Sequence, residues 1–314
     1  MTGATGYIGG RLIPHLLDRG YSVRALARNP DKLSDVGWRD RVEVAKGDLG
    51  DVDSLASAFD GVDVVYYLVH SMGSERDFVE AESRSARNVV KAAQKAGVKR
   101  FVYLGGLHPS DADLSPHLRS RTAVGDILID SGIETVVLQA GIVIGSGSAS
   151  FEMIRHLTNR LPAMTTPKWV HNRIQPIAID DVLHYLAEAA AVPVPKSRTW
   201  DVGGPDVFEY GEAMQIYAEV AGLRRRVIVV LPWLTPTIAS WWIGLVTPMP
   251  AGLARPLVES LECDAVRGEQ DIDALIAPPD GGLTGYRDAV ARALEIGPLP
   301  SDPPWAKAGR ADAG

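Results

Sequence analysis

Short apolar segments alternate with amphipathic segments through the first half of the chain. The apolar segments that have the length of strands lie at 23–27, 42–45, 62–69, 100–106 and 135–141. Each is followed by a helix-like segment, and the clearest of these, 77–96, carries its apolar residues on one face and stops before Gly97. The run VDVVYYLV at 62–69 is apolar on both faces, as in a strand that helices cover on both sides. The pattern predicts repeated strand–helix units on a parallel sheet.

The second half of the chain is less regular. After residue 145 it shows short strand-like runs, QPIAI and TWDVGG, and helix-like stretches over 180–191 and 210–221. From Gly297 onward the composition is that of a linker. We expect an α/β domain over 1–145, a smaller substrate lobe over 146–296 that is interleaved with the sheet, and a linker-like tail over 297–314.

Composition and charge mainly exclude certain kinds of partner and site. The 314 residues include 32 Lys and Arg against 39 Asp and Glu, and the net charge of −7 disfavours a nucleic-acid partner. Cys263 is the only cysteine, which rules out an internal disulfide and a thiolate metal cluster, and no motif predicts a metal site. The first residues lack a signal-peptide pattern, so we expect a cytoplasmic protein.

One stretch, 227–254, carries no charged residue and follows three arginines. Four prolines interrupt it, so a transmembrane helix is disfavoured. Its Trp-rich part either packs as a helical pair over a pocket or dips Trp241, Trp242 and Leu245 into a membrane surface. We favour the packed arrangement over membrane-surface contact.

Glycines three residues apart open the chain, in the segment TGATGYIGG at the start of a helix-like run. This spacing lets backbone N–H groups approach a pyrophosphate, with the positive end of the helix dipole behind them. The segment therefore predicts a dinucleotide site in a Rossmann-type, doubly wound parallel sheet. The residues expected to contact the cofactor in this turn are Gly3, Thr5, Gly6, Tyr7 and Ile8.

Candidate ligand residues also follow other strands, at the carboxyl ends where open α/β sheets bind ligands. Arg28 follows the strand at 23–27 in place of an acidic residue for a ribose 2′-hydroxyl, and its guanidinium favours NADP over NAD; the alternative is a solvated surface cation. Asp48 and Leu49 follow the strand at 42–45 and are placed to meet the adenine ring, unless Asp48 is a helix N-cap.

Two further strand ends extend the predicted cofactor site. The run at 62–69 ends in Leu68 and Val69 and is followed by His70, although a buried histidine with satisfied hydrogen bonds is the commoner case. The run at 100–106 ends in Gly105 and Gly106.

At these residues the chain resembles the extended and atypical short-chain dehydrogenases/reductases, and within them the NmrA-like and complex-I-accessory-subunit-like NAD(P)H-binding proteins. The resemblance rests on TGATGYIGG, the strand ending at Arg28, GDL, QAGIVIG, QPIAIDDV and DVGGP, and it covers nearly all of residues 2–295. It implies a Rossmann-type sheet with a smaller C-terminal substrate lobe, and NADP(H) as the cofactor. From QAGIVIG it adds Ala140, Gly141 and Ile142 to the expected cofactor contacts.

Active members of that superfamily use a Tyr four residues before a Lys on one helix, where the ammonium lowers the phenol pKa, and a Ser or Thr at the preceding strand end. In the matching segment SPHLRSR, His117 stands at the Tyr position and Arg121 at the Lys position, while Gly105 and Gly106 replace the Ser. His117 and Arg121 are therefore the catalytic candidates. His117 either transfers a proton or hydrogen-bonds the cofactor or substrate, and Arg121 suits a phosphate or ribose contact better than an acid.

His108 could replace the lost chemistry or be a solvated loop residue. We predict an NADP(H)-binding oxidoreductase, of reductase or isomerase type, acting on a largely apolar small molecule that is lipid-like or quinone-like. The alternative is a non-catalytic NADP(H)-binding regulatory or assembly protein.

Two expectations concern the chain ends. Only Met1 and Thr2 precede the glycine turn, so the central first strand is absent from this sequence, and we expect the natural chain to begin several residues upstream of Met1. We also expect relatives to continue into a second domain after GPLPSDPPWA.

Overall fold

The computed structural model describes residues 1–69, 78–110, 113–231 and 246–308. Its α-helices are α1 (Tyr7–Asp18), α2 (Val52–Phe59), α3 (Phe78–Ala96), α4 (Pro116–Ile129), α5 (Ala149–Arg160), α6 (Ile179–Glu188), α7 (Tyr210–Val220), α8 (Ala251–Glu259), α9 (Tyr286–Ile296) and α10 (Pro304–Lys307). Its strands are β1 (Arg24–Ala27), β2 (Glu43–Lys46), β3 (Val64–Tyr67), β4 (Arg100–Gly106), β5 (Glu134–Ala140), β6 (Val143–Ile144), β7 (Ala163–Thr166), β8 (Arg173–Ile174), β9 (Ile177–Ala178), β10 (Arg198–Val202), β11 (Phe208–Glu209) and β12 (Val227–Val230).

The main sheet is parallel throughout. Strands β10, β5, β4 and β3 lie side by side in that order, and β1 and β2 form a second parallel pair. Residues 1 and 2 join the two groups, because the Leu26 N–H donates to the Met1 carbonyl at 2.9 Å and the Thr2 N–H donates to the Tyr66 carbonyl at 3.0 Å. The predicted Rossmann-type, doubly wound parallel sheet is confirmed.

Met1 and Thr2 therefore lie between β1 and β3 and hydrogen-bond to both, although neither residue belongs to a strand. The Met1 amino group donates to the Arg24 carbonyl at 2.9 Å. Burial, with a smaller contribution from the Arg24 guanidinium, lowers the pKa of this amino group to about 5. Beside Met1 lies a cavity of about 710 Å³, lined partly by Leu16, Val23 and Tyr66.

Helices cover both faces of the sheet, as the doubly apolar strands predict. On one face α1 packs against α6, and its residues Leu12 and Ile13 are fully buried with Trp200 of β10. On the other face α2, α3 and α4 pack side by side. The predicted helix over 77–96 corresponds to α3, which ends at Ala96 because Gly97 takes a left-handed φ of +73°. This arrangement leaves the carboxyl ends of the strands as the open edge.

The second half of the chain builds a separate apolar cluster. Helices α5, α7, α8 and α9 surround Phe151, Met214 and Tyr217, and Phe151 meets Tyr217 edge to face at 6.0 Å. The short pairs β7–β12, β8–β11 and β6–β9 lie in this half, whereas β10 returns to the main sheet beside β5. The lobe therefore sits at the carboxyl end of the sheet and shares one strand with it.

The tail up to Ala308 lies against the body of the molecule. Asp302, whose side chain is only 5% exposed, pairs with Arg11 of α1 at 2.8 Å. Farther along, Arg155 of α5 donates to the Ala308 carbonyl at 2.8 Å. Gly147 has a φ of +88°, and a Cβ atom there would lie 2.4 Å from an Asp302 carboxylate oxygen. Although its composition resembles a linker, this part of the tail is held to both halves by buried polar contacts.

Candidate cofactor and active site

The glycine turn is built so tightly that side chains cannot replace its glycines. Gly3 has a φ of +68°, and a Cβ atom there would lie 2.5 Å from the Leu68 carbonyl oxygen. A Cβ atom on Gly9 would lie 2.3 Å from the Gly3 carbonyl oxygen. Helix α1 begins directly after Gly6, which has no capping side chain, so its first N–H groups are available to an anion. The turn has the geometry expected of a pyrophosphate cradle.

A cavity of about 850 Å³ opens in front of this turn. Its volume lies within the usual range for small-molecule and cofactor sites. The predicted cofactor residues that line it are Gly3, Thr5, Gly6, Arg28, Asp48, Leu49, Leu68 and Val69. The lining residues that the sequence analysis did not select are Thr2, Leu26, Ala27, Asn29, Lys32, Gly47, Tyr67, Glu82 and Ser85. The cavity therefore runs from the glycine turn past three strand ends to α3.

Two cations stand at one end of the cavity. Arg28 and Lys32 are both exposed, and within the described part of the chain neither makes a hydrogen bond or an ion pair. Lys32 lies in a short 3₁₀ turn that begins after Asn29, whose side chain accepts a hydrogen bond from the Asp31 N–H at 3.1 Å. The run Asn-Pro-Asp-Lys directly after Arg28 was the signal for this second cation. The pair suits an additional phosphate.

Asp48 lines the cavity but does not cap a helix. Its carboxylate accepts a hydrogen bond from the Gly50 N–H at 2.9 Å, and Asp51 is the residue that caps α2. The N-cap alternative for Asp48 is therefore wrong. The adjacent Leu49 is buried, and its carbonyl accepts a hydrogen bond from Asn88 of α3 at 2.9 Å.

His117 occupies the first turn of α4, which Ser115 caps by accepting a hydrogen bond from the Leu118 N–H at 3.3 Å. The imidazole is buried, and no hydrogen bond joins it to any residue of the described ranges. Burial, followed by repulsion from the Arg121 guanidinium, lowers the His117 pKa from 6.5 to about 3. At neutral pH this side chain is a neutral imidazole and not an acid.

Arg121 lies one helical turn beyond His117 and reaches the end of β4. One terminal nitrogen donates to the Leu104 carbonyl at 2.9 Å. Its Nε–H is buried and has no acceptor among the residues that the structure describes. A buried N–H without an acceptor costs free energy, which a ligand oxygen brought to this nitrogen would recover, although Arg121 is not among the residues that line the cavity. Such an oxygen could belong to a ribose hydroxyl or to a substrate carbonyl.

Gly105 and Gly106, the glycines at the end of β4, do not line the cavity. At Gly106 the absence of a side chain is explained by packing. A Cβ atom on Gly106 would lie 2.7 Å from a methyl group of Leu118 in α4. A serine, which active superfamily members carry at the strand end, would therefore require the Leu118 side chain to shift. Gly105 is less crowded, since its nearest neighbour, Gln139 of β5, lies at 3.4 Å from the same kind of Cβ position.

His108 is not the solvated loop residue that we weighed. Its Nδ1 lies 2.9 Å from the Pro109 carbonyl, and its Nε2 lies 3.0 Å from the Thr122 hydroxyl and 3.3 Å from the Gln139 amide nitrogen. Both ring nitrogens therefore have hydrogen-bonding neighbours within the described part of the chain.

The remaining predicted cofactor residues lie outside the cavity lining. Tyr7 stacks under the Arg11 guanidinium at 4.0 Å, and Ile8 packs against the core beneath the sheet. The carbonyls of Ala140 and Ile142 accept backbone hydrogen bonds at 3.0 Å, and Gly141 faces Ala265. These three residues connect the sheet to the lobe.

Several residues named above lie outside the described residues, namely His70, Trp241, Trp242 and Leu245. In the described ranges, no group of His, Cys, Asp and Glu side chains is arranged to hold a metal ion. The same ranges contain no helix long and apolar enough to cross a membrane.

The fold and the glycine turn define an NAD(P)H-binding protein with the architecture of the short-chain dehydrogenases/reductases. Residues 3–148, just under half of the chain, match the family model described as NAD(P)H-binding. The predicted resemblance to NAD(P)H-binding proteins and the predicted nicotinamide cofactor are thereby confirmed.

The chain is similar to several reductases. It is 25% identical to cinnamoyl-CoA reductase 1 of Arabidopsis thaliana over 231 residues, which cover 61% of this chain and 67% of that one. It is 26% identical over 231 residues to ceramide reductase of Caulobacter vibrioides, with 73% and 72% of the two chains covered. Among solved structures, triphenylmethane reductase of Citrobacter sp. complexed with NADP(H) superposes with a TM-score of 0.72 over 93% of this chain and 98% of that one, at 24% identity.

Proposed function

We propose that the chain is an NADPH-dependent reductase of an apolar small molecule. The observation that carries the cofactor half of this proposal is that Arg28 and Lys32 line the glycine-turn cavity and form no ion pair with any described residue. A 2′-phosphate would find charge-assisted contacts there that a 2′-hydroxyl would not. The fold-related Citrobacter reductase, whose structure holds NADP(H), supports the same preference.

NADPH would be held by the glycine turn, by Asp48 and Leu49, and by the two cations, and when bound it supplies a hydride. The chain's own part is electrostatic. Arg121, fixed by the Leu104 carbonyl, presents an Nε–H without an acceptor to the strand ends, where it would stabilise negative charge on a substrate oxygen. His117 would act as a neutral hydrogen-bond partner, and the proton that completes the reduced oxygen would come from water.

The substrate class is inferred from the relatives and from the site. The similar proteins are named as reductases of a coenzyme A ester, of ceramide and of triphenylmethane dyes, molecules with large apolar parts. The neutral imidazole and single guanidinium of this site suit a carbonyl or quinone oxygen attached to such a body. We therefore infer a lipid-like or quinone-like acceptor.

The cofactor half is tested by titrating NADPH and NADH into the protein and into variants. Arg28→Ala and Lys32→Ala should each weaken NADPH binding by about 10-fold, the equivalent of one charge-assisted contact, and leave NADH binding unchanged. Lys46→Ala, which removes an exposed lysine outside the cavity lining, is the matched control. Equal affinities of the unmodified protein for the two nucleotides would contradict the proposal.

The reductase half is tested by following NADPH absorbance with a panel of quinones, aldehydes and apolar dyes. Arg121→Met should lower turnover of any accepted substrate by about 100-fold, the usual effect of losing one donor to a developing oxyanion.

A second candidate is a non-catalytic NADP(H)-binding regulatory or assembly protein. The observation that favours it is the loss of all three superfamily catalytic residues, at His117, Arg121 and Gly106. Tight NADPH retention without oxidation by any member of the panel would favour this candidate.

A further inference from the structure

A buried carboxylate that neither the cofactor nor the proposed chemistry uses stands at the inner wall of the cavity. Glu82 of α3 is only 6% exposed and lines the same cavity as the glycine turn. It accepts a hydrogen bond from the hydroxyl of Ser120 in α4 at 2.6 Å. Ser120 is fully buried, so its hydroxyl cannot exchange this contact for one with bulk water.

Ser120 occupies a particular place in α4. It lies between the two residues that the sequence pattern places at the catalytic positions, three residues after His117 and directly before Arg121. The backbone carbonyl of Arg121, the next residue, accepts a hydrogen bond from the Tyr103 hydroxyl of β4 at 3.0 Å. This one turn of α4 is therefore tied to α3 through Glu82 and to the sheet through Tyr103.

The two ties belong to one buried network. Tyr103 meets Tyr67 of β3 edge to face at 5.8 Å, and the charge of Glu82 reaches both rings. Burial is the main cause that raises the Tyr67 and Tyr103 pKa, and the Glu82 carboxylate adds to it in both cases. Both phenols therefore stay protonated, and Tyr103 keeps the proton that it donates to the Arg121 carbonyl.

We propose that Glu82 is a positioning residue which, through Ser120, fixes the turn of α4 that carries His117 and Arg121 against the strand ends. The expected effect on turnover rests on the proposed reductase function, whereas the expected effect on the structure of α4 does not. A displacement on the order of 1 Å in a group that faces the reacting atoms can cost about 100-fold in rate. A single short hydrogen bond between two helices is thus able to control turnover without touching the substrate.

The structural consequence is tested by hydrogen exchange, which needs no substrate. Glu82→Ala and Ser120→Ala should each raise the amide exchange rate of peptides covering α4 residues 116–122 by about 10-fold, since the turn loses the hydrogen bond that ties it to α3. Glu82→Gln retains a carbonyl acceptor for Ser120 and should stay within about threefold of the unmodified protein. Ser83→Ala, which removes a buried hydroxyl from the same turn of α3, is the control and should leave α4 exchange unchanged.

The kinetic consequence separates positioning from simple loss of stability. With any accepted substrate, Glu82→Ala and Ser120→Ala should lower kcat by about 10-fold or more while the Kd for NADPH changes less than threefold, and the double variant should be no worse than either single one. Glu82→Gln should restore most of the rate. Unchanged α4 exchange in both Ala variants, additive losses in kcat, or a Gln variant as poor as the Ala variant would each overturn the proposal. If the unmodified protein turns over no substrate, the reductase proposal fails alone, because the exchange experiment still decides the role of Glu82.

Discussion

The neutrality of His117 predicts how the stability of the protein depends on pH. Burial and the Arg121 guanidinium lower the pKa of this imidazole from 6.5 in the unfolded chain to about 3 in the folded one. Between those values the unfolded chain binds one proton more than the folded chain, so acid favours unfolding. The contribution of His117 to stability is therefore fully present above pH 6.5 and is lost progressively as the pH falls toward 3.

The magnitude follows from the same two values. Each pH unit below 6.5 costs about 1.4 kcal/mol while the unfolded imidazole is charged and the folded one is not. Between pH 6.5 and pH 4.5 this amounts to about 3 kcal/mol, a large part of the roughly 5–15 kcal/mol that stabilises an ordinary domain. The variant His117→Gln keeps a polar side chain of similar size that does not titrate, so it should lack this part of the acid sensitivity.

The assay is urea unfolding, followed by tryptophan fluorescence, at several pH values between 7.5 and 4.5. The difference in the free energy of unfolding between the unmodified protein and His117→Gln should shift by about 3 kcal/mol over this interval, in favour of the variant at low pH. Because burial is the larger cause of the low pKa, Arg121→Met should remove less than half of the shift. Parallel pH curves for the unmodified protein and His117→Gln would show that the imidazole is not held neutral, and the electrostatic role given to Arg121 would then need revision.

Three further predictions address the fold around the site. Gly106→Ser should destabilise the protein by about 1–3 kcal/mol, because its Cβ atom would meet Leu118 at 2.7 Å. Adding Leu118→Ala to this variant should relieve the strain. Equal stability of Gly106→Ser and the unmodified protein in urea would contradict this prediction. Gly3→Ala should abolish NADPH binding, measured by fluorescence titration, since the position requires a φ of +68° and lies 2.5 Å from the Leu68 carbonyl. Asp302→Asn should cost about 3 kcal/mol and expose the tail to limited proteolysis because it breaks a buried ion pair with Arg11, whereas Asp180→Asn, at the exposed pair with Arg292, should cost less than about 0.5 kcal/mol.

The parts of the site that sequence reasoning found are those set by local chain geometry. The glycine turn and Arg28 depend on residues within one strand–turn–helix unit, so their spacing alone carries the information. Lys32 also belongs to this local class, and the Asn-Pro-Asp-Lys run would have revealed it. The sheet and α3 followed for the same reason, because apolar periodicity is a local property of each element.

The parts of the structure that sequence reasoning missed depend on contacts between distant segments. Glu82 and Ser120 are 38 residues apart, and nothing in either helix pattern shows that the two side chains meet. The path of the tail is similar, since Asp302 lies 291 residues from Arg11 and its surroundings read as a linker. The contact between His108 and Thr122 was also missed, because Thr122 lies in the next helix, α4. Composition and periodicity carry no record of such pairings, and only the folded chain brings them together.

The replacements at the superfamily's catalytic positions form one consistent set. A strand-end serine would require Leu118 to shift, and Gly106 itself has no side chain that could hold the oxygen of a substrate. Arg121 compensates, because a guanidinium is long enough to bond the Leu104 carbonyl and still offer a further N–H, which an ammonium at the same place could not do with the same geometry. The permanent charge of Arg121 in turn disfavours a charged imidazole one turn away, which is compatible only with a histidine that stays neutral. In the proposed reductase, these changes would together replace proton exchange through a phenol by charge stabilisation at a fixed guanidinium.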